Sequence, residues 1–186
     1  TPLSNDATIL SYPDAAGGNA PPEGAALDRL ARLAARANAG VAVEVPTAVG
    51  FCMYIRRECL AATGLFREDV FAQGYGEEND FCLRATRLGW RHAGVPGVFV
   101  AHVGGQSFGT AAAPLVARNL EVLERLHPGY RAGIAAFTAA DPLAPARRRL
   151  DLERWQAARP RAGKRQAGGA VVLVTHDSGG GVERLV

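Results

Sequence analysis

The chain has 186 residues, of which 48% are apolar, 21% charged and 7% aromatic. That is enough apolar material for one packed domain and too much for a disordered chain. No run approaches the ~18 uninterrupted apolar residues of a membrane-spanning helix, and the start lacks the charged and apolar regions of a secretory leader. The net charge of +3 is uneven: residues 147–165 carry eight basic side chains against Asp151 and Glu153, a local +6 that leaves −3 elsewhere. Cys52, Cys59 and Cys82 fit neither a Cys-x-x-Cys metal clip nor an even-numbered disulfide framework, so they read as reduced, buried thiols of a cytoplasmic protein.

In chain order, residues 13–24 are rich in Gly and Pro and predict an irregular loop. Leu27, Leu30, Ala31, Leu33, Ala34 and Ala37 repeat at helical spacing, and Gly40 is placed to end that helix. Residues 41–45 alternate as a strand closed by Pro46, and residues 51–55 give a second β-rich run. A brief helix over 57–63, stopped by Gly64, precedes a loop over 64–76. A clearer helix over 77–88 is closed by Gly89, and 98–103 reads as another strand. From Pro114 the pattern turns helical, with a break near His127, Pro128 and Gly129 and shorter helices to about residue 158. Residues 159–169 have linker composition. After them, residues 170–175 predict a buried strand leading into Gly179, Gly180 and Gly181 and a helix start.

The run Gly74-Tyr75-Gly76-Glu77-Glu78-Asn79-Asp80-Phe81-Cys82-Leu83-Arg84 concentrates three carboxylates in the first turn of a predicted helix. Free N–H groups and the positive end of the helix dipole keep carboxylates there ionised and oriented, which suits a general base. Asp80 and Arg84 stand at i, i+4, so an ion pair between them would hold Asp80 while Glu77 and Glu78 face the preceding loop. Ordinary helix N-terminal charge would give the same cluster. His102, at a predicted strand end before Gly104 and Gly105, suits a metal ligand or a phosphate contact, although a lone histidine is more often structural. His92 and His127 have no comparable setting and read as surface or loop residues.

Taken together, Thr1 to Pro13, Gly50 to Arg57, Gly64-Leu65-Phe66, the acidic run, Gly89-Trp90, and His102 with Ser107-Phe108 resemble the C-terminal half of a bacterial family 2 glycosyltransferase of the GT-A fold, over about residues 1–110. The resemblance implies transfer of a sugar from a nucleoside diphosphate sugar donor to a saccharide or lipid-linked saccharide acceptor, with inversion at the anomeric carbon. It assigns the base to Glu78, with Glu77 and Asp80 sharing or supporting that role, and it places Gly50, Phe51, Cys52 and Tyr75 on the acceptor side. It makes His102 a ligand of a divalent metal, Mn or Mg, that stabilises the leaving diphosphate. No Asp-x-Asp occurs in the chain, although the family uses that pair for metal and donor, so this piece alone is expected to be inactive. Residues 171–184 resemble the first strand and glycine loop of a GT-B glycosyltransferase of the family 4 type, with Gly179, Gly180 and Gly181 against the donor phosphates.

The expected fold is therefore α/β: a partial GT-A-like, Rossmann-like mixed sheet over residues 1–110 and a helical C-terminal extension over 111–158. A basic linker over 159–169 and a truncated strand-turn-helix of a second α/β domain over 170–186 complete it. The chain reads as an excised piece of a longer, multidomain protein of bacterial cell-surface polysaccharide assembly, located in the cytoplasm at the inner face of the membrane. The further partner expectations are peripheral membrane contact and self-association through exposed strand edges, with no nucleic acid. One alternative is a non-catalytic module that grips anionic partners through 147–165. Another is a glycoside hydrolase, but Glu77, Glu78 and Asp80 share one turn, whereas hydrolysis needs carboxyls on opposite sides of the bond.

Overall fold

The structure, a computed structural model, describes residues 1–71, 75–103 and 112–159. β1 (Pro2–Leu3), β2 (Val43–Val45) and β3 (His92–Phe99) form a mixed sheet in the order β1-β3-β2, with β1 parallel and β2 antiparallel to the central strand. The helices are α1 (Gly24–Ala37), α2 (Arg57–Thr63), α3 (Glu68–Phe71), α4 (Glu77–Arg87), α5 (Ala112–Leu126), α6 (Tyr130–Ala140) and α7 (Ala144–Ala158). This is an α/β arrangement with a small mixed sheet, as a partial GT-A-like fold requires.

The central strand is where the sequence pattern misleads. It runs from His92 to Phe99 rather than over 98–103, and its interior holds Gly94, Pro96 and Gly97, which erase the alternation of a strand. The two glycines are there for proximity. A methyl group on Gly94 would lie 2.8 Å from Leu10 Cδ2, and one on Gly97 would lie 2.7 Å from the backbone oxygen of Asn38. The short 3-10 turn Thr8–Leu10 and the end of α1 thus rest directly on the strand backbone. Val100 N–H still donates to Leu3 at 3.0 Å, so His102 stands beyond the strand rather than as the next residue after it.

Residues 51–55 do not form the predicted strand. Met53 and Ile55 instead pack against a buried cluster of Ala48, Cys59, Phe81, Cys82 and Ala85, so their apolar side chains are satisfied without a ladder. The expected loop over 64–76 contains the one-turn helix α3. The helix predictions hold more closely: α2 ends at Gly64, whose φ of 81° and N–H to Leu60 O at 2.9 Å close it, and α4 gives way to Gly89 at φ 85°.

The larger core joins Leu3, Leu10, Tyr12, Leu33, Val45 and Phe99 to Leu143 and Leu150 from the helical extension. Burying such side chains stabilises the fold by about 1.5–3 kcal/mol each. The basic α7 is fastened to this core by its own arginines: buried Arg147 pairs with Asp141, Arg149 donates to Asn38 Oδ1 at 2.9 Å, and Arg154 donates to Tyr12 Oη at 3.0 Å. The linker expected over 159–169, apart from Arg159, the strand over 170–175 and the loop of Gly179, Gly180 and Gly181 lie outside the described residues.

Candidate functional site

The acidic run is shaped by a tight turn before α4. Tyr75 and Gly76 both have positive φ, 64° and 116°. Glycine is needed at 76 on two counts, because the backbone there is unfavourable for side chains and a methyl would meet Leu123 Cδ1 at 3.1 Å and the Phe71 ring at 3.2 Å. From this turn α4 starts with Asp80 N–H bonding to Gly76 O at 2.8 Å, and Gly76 N–H in turn donates to Glu78 Oε2 at 3.2 Å. Glu78 is thereby folded back over the helix start, where backbone donors favour a carboxylate.

Asp80 is fully buried and surrounded by cations. Its Oδ2 accepts from Arg67 Nε at 2.9 Å and from Arg84 Nε at 2.8 Å, while Oδ1 accepts from Arg67 Nη2 and lies 2.7 Å from His127 Nε2. Burial pushes its carboxyl up, but the bonds from Arg67, His127 and Arg84 outweigh burial and hold it below the usual aspartate value. Arg84 also donates to Thr63 O and to Leu65 O, so the end of α2 and the following loop are tied to the same carboxylate. Asp80 is the knot of this corner.

Glu78 is in the opposite condition. Half-buried, it has its carboxyl raised above the ordinary glutamate value, first by burial and then by the neighbouring charge of Glu77, against backbone donors that lower it. A methyl on Gly50 would lie 3.5 Å from Glu78 Cδ and Cγ, so the residue 50 backbone walls one side of this carboxylate. Glu77 Oε2 is buried without a hydrogen-bond partner among the described residues.

The next residue, Phe51, stacks on His102 with ring centroids 5.1 Å apart and planes inclined by 28°. His102 is held at three further points: Nδ1 lies 2.7 Å from Asp6 O, its N–H donates to Asn5 Oδ1 at 2.8 Å, and its carbonyl accepts from Asn5 Nδ2 at 2.9 Å. A carbonyl partner fixes the proton on Nδ1 and leaves the lone pair on Nε2, the atom a ligand would meet. The Gly50-Phe51 dipeptide thus joins the two sequence-predicted centres, with Glu78 on one side and His102 on the other. Residues 53–56 continue from it along a cavity of about 280 Å³ that Phe81 and Trp90 also line. Cys52 enters through its carbonyl, which accepts from Thr1 Oγ1 at 2.8 Å.

The sequence model of the family described as Glycosyltransferase like family 2 matches residues 25–119, just over half of the chain. The chain belongs to this family. The match spans Gly50, Phe51, Glu77, Glu78, Asp80 and His102 and stops before Leu123, His127 and Tyr130. No curated protein and no solved structure is matched by the sequence. Membership carries glycosyl transfer, with a nucleotide-sugar donor and an acceptor, as the general activity of the family.

Three residues of the corner were not legible as such. His127, expected on the surface or in a loop, is 5% exposed and bonded to Asp80, and its other ring nitrogen has no partner among the described residues. Arg67, in the loop before α3, gave no periodic signal for its pairing with Asp80. Tyr130 is half-buried with its hydroxyl pushed up to about 12, first by burial and further by the charge of Glu78, which marks it as a neighbour of that carboxylate. His92 is also not a surface residue: half-buried in β3, its Nε2 lies 2.9 Å from Cys82 O and 3.0 Å from Thr86 Oγ1.

Proposed function

We propose that the protein is the acceptor-side part of an inverting glycosyltransferase and that Glu78 is its base. The observation that carries this reading is the single dipeptide, Gly50-Phe51, packed against Glu78 and stacked on His102. Glu78 takes the proton of the acceptor hydroxyl as that oxygen forms a bond to the anomeric carbon of the donor sugar. The bond from that carbon to the diphosphate breaks on the opposite face, the diphosphate leaves with the electron pair, and configuration inverts. Burial makes Glu78 a stronger base than a free glutamate, and Gly76 N–H steers it. Asp80, bound by two arginines and a histidine, supports the turn instead of sharing the proton transfer.

The resemblance to the family implies a divalent metal. His102 offers one oriented nitrogen, but no group of three or more His, Cys, Asp or Glu side chains among the described residues is placed to hold an ion. A single imidazole does not retain a hard, hydrated cation, so no step here passes through one. His102 then faces the reacting centre through Nε2. The proposed setting is saccharide assembly at the cytoplasmic side of a membrane, supported by the second transferase-like run after residue 170; no described helix is long and apolar enough to cross a membrane.

The test is transfer from a panel of nucleotide sugars to endogenous glycan and lipid-linked acceptors by the native gene product. Glu78→Gln lowers kcat by about 10²-fold or more, the usual contribution of a positioned base. Glu77→Gln retains most of the activity. Full activity in Glu78→Gln would remove the reading.

A further inference from the structure

α5, whose second half lies outside the matched region, and the turn after it meet the acidic corner at three points. Leu123 covers Gly76, with 3.1 Å between its Cδ1 and the place of a Gly76 methyl, and Asn119 Nδ2 donates to Phe71 O at 3.1 Å. At the end of α5, His127 is fixed by its own N–H to Leu123 O at 2.8 Å and presents Nε2 to Asp80 Oδ1. The other three bonds to Asp80 come from Arg67 and Arg84, which belong to the α2–α4 layer itself. His127 is the only one of the three partners supplied by the helical extension. Its bond therefore registers α5 against the first turn of α4, two residues after Glu78.

We infer that His127 is a positioning residue, which through Asp80 holds the turn carrying Glu78 in the orientation its task requires, so that the helical extension is a working part of the site. This rests on the reading of Glu78 as the base, but the contact is measured independently of it. Charge balance supports the arrangement. Asp80 is already paired with Arg67 and Arg84, so what the His127 bond adds is direction. For the same reason His127 is removable without stranding a buried charge. Glu78 also reports on the turn, because its raised carboxyl depends on staying buried between Gly50 and the helix start.

The experiment is a titration of the intact chain with the Glu78 carboxyl followed by carbon-13 NMR, in wild type, His127→Gln and His127→Phe. The amide of His127→Gln still donates to Asp80 Oδ1, whereas His127→Phe fills the space without a donor. We expect the Glu78 midpoint to fall in His127→Phe toward the ordinary glutamate value of about 4.3, as the turn relaxes and water reaches the carboxyl. In His127→Gln it stays at the wild-type position. A purely structural role would lower the melting temperature of both variants and leave both midpoints unmoved, and that result overturns the inference. An unchanged midpoint in a fully folded His127→Phe overturns it equally. Transfer by Glu78→Gln decides the base assignment separately, so failure of one is not mistaken for failure of the other.

Discussion

Phe51 and His102 lie nearly face to face, 5.1 Å apart at the ring centres, while the residue before Phe51 has no side chain and touches Glu78 with its backbone. A carboxylate and an imidazole 24 residues apart in sequence are thus separated in space by one dipeptide. Gly50 has no positive φ and a methyl there meets Glu78 at ordinary contact distance. Gly50→Ala is therefore expected to change stability by less than about 0.5 kcal/mol, whereas Gly50→Val forces the Glu78 side chain to turn away. Urea melts that stay level across the series while transfer is lost in the valine variant would confirm that this backbone sets the carboxylate.

Glu78 is a site where function opposes stability. Its carboxyl titrates above the ordinary glutamate value in the folded chain and near about 4.3 in the unfolded one. Between those values the folded state binds more protons, so its stability is fullest below the unfolded value and is lost as pH rises through the folded one. Glu78→Gln does not ionise. It is expected to melt higher than wild type at pH 7, with the difference closing near about pH 4. Thermal melts across that range check this, and a variant less stable than wild type at neutral pH would contradict it.

Asp80 has the opposite sign. Burial disfavours its charge, but Arg67, His127 and Arg84 hold its carboxyl below the usual range. The stability it supplies is present above the unfolded aspartate value of about 3.9 and is lost as pH falls through the folded one. Asp80→Asn at neutral pH leaves Arg84 and Arg67 facing a neutral group, at a cost of about 3 kcal/mol, the lower end for breaking a buried pair because both arginines keep some access to water. Equilibrium unfolding of Asp80→Asn at pH 7 measures it.

How far this corner could be read from sequence follows from what holds each part. The pairing of Asp80 with Arg84 is set by helical spacing alone, and it is present at 2.8 Å. Arg67 and His127 reach the same carboxylate from 13 and 47 residues away, through a fold that no local pattern encodes. The same division runs through the elements. Helices α1, α2 and α4 announce themselves by apolar period and by glycine stops. The central strand β3 does not, since Gly94 and Gly97 are where neighbouring backbone and Leu10 press onto it. Residues 51–55 carry strand-like side chains but spend them on the cluster around Phe81 and on the site.

The turn before α4 gives a sharp backbone test. Gly76 combines a φ of 116° with side chains of Leu123 and Phe71 at 3.1 and 3.2 Å from where a methyl would sit. Gly76→Ala is expected to cost about 1–3 kcal/mol from backbone strain alone, with the crowding added to it. Leu123→Ala in the same background relieves the crowding but not the strain. A double-mutant cycle therefore gives a coupling that recovers part of the loss. Strict additivity would mean that α5 does not press on this turn.

Tyr12 tests whether the basic helix α7 is part of the domain. Its ring is fully buried against Phe99, and its hydroxyl donates to Asp151 Oδ1 at 2.7 Å and accepts from Arg154 Nη1 at 3.0 Å. Burial, above all, pushes that hydroxyl up to about 12, so it remains a donor throughout the neutral range. Tyr12→Phe keeps the packing and removes one oxygen, which leaves Asp151 and Arg154 near the surface and free to take water in its place. The expected loss is about 1 kcal/mol, that of a typical hydrogen bond. Tyr12→Ala empties a core position and is expected to cost about 3–5 kcal/mol. If α7 were an independent anion-binding arm, Tyr12→Phe would unfold as wild type does and bind anionic vesicles equally well. Coupled to the core as the structure has it, α7 melts with the sheet, and its Arg147, Arg149 and Arg154 are already engaged with Asp141, Asn38 and Tyr12.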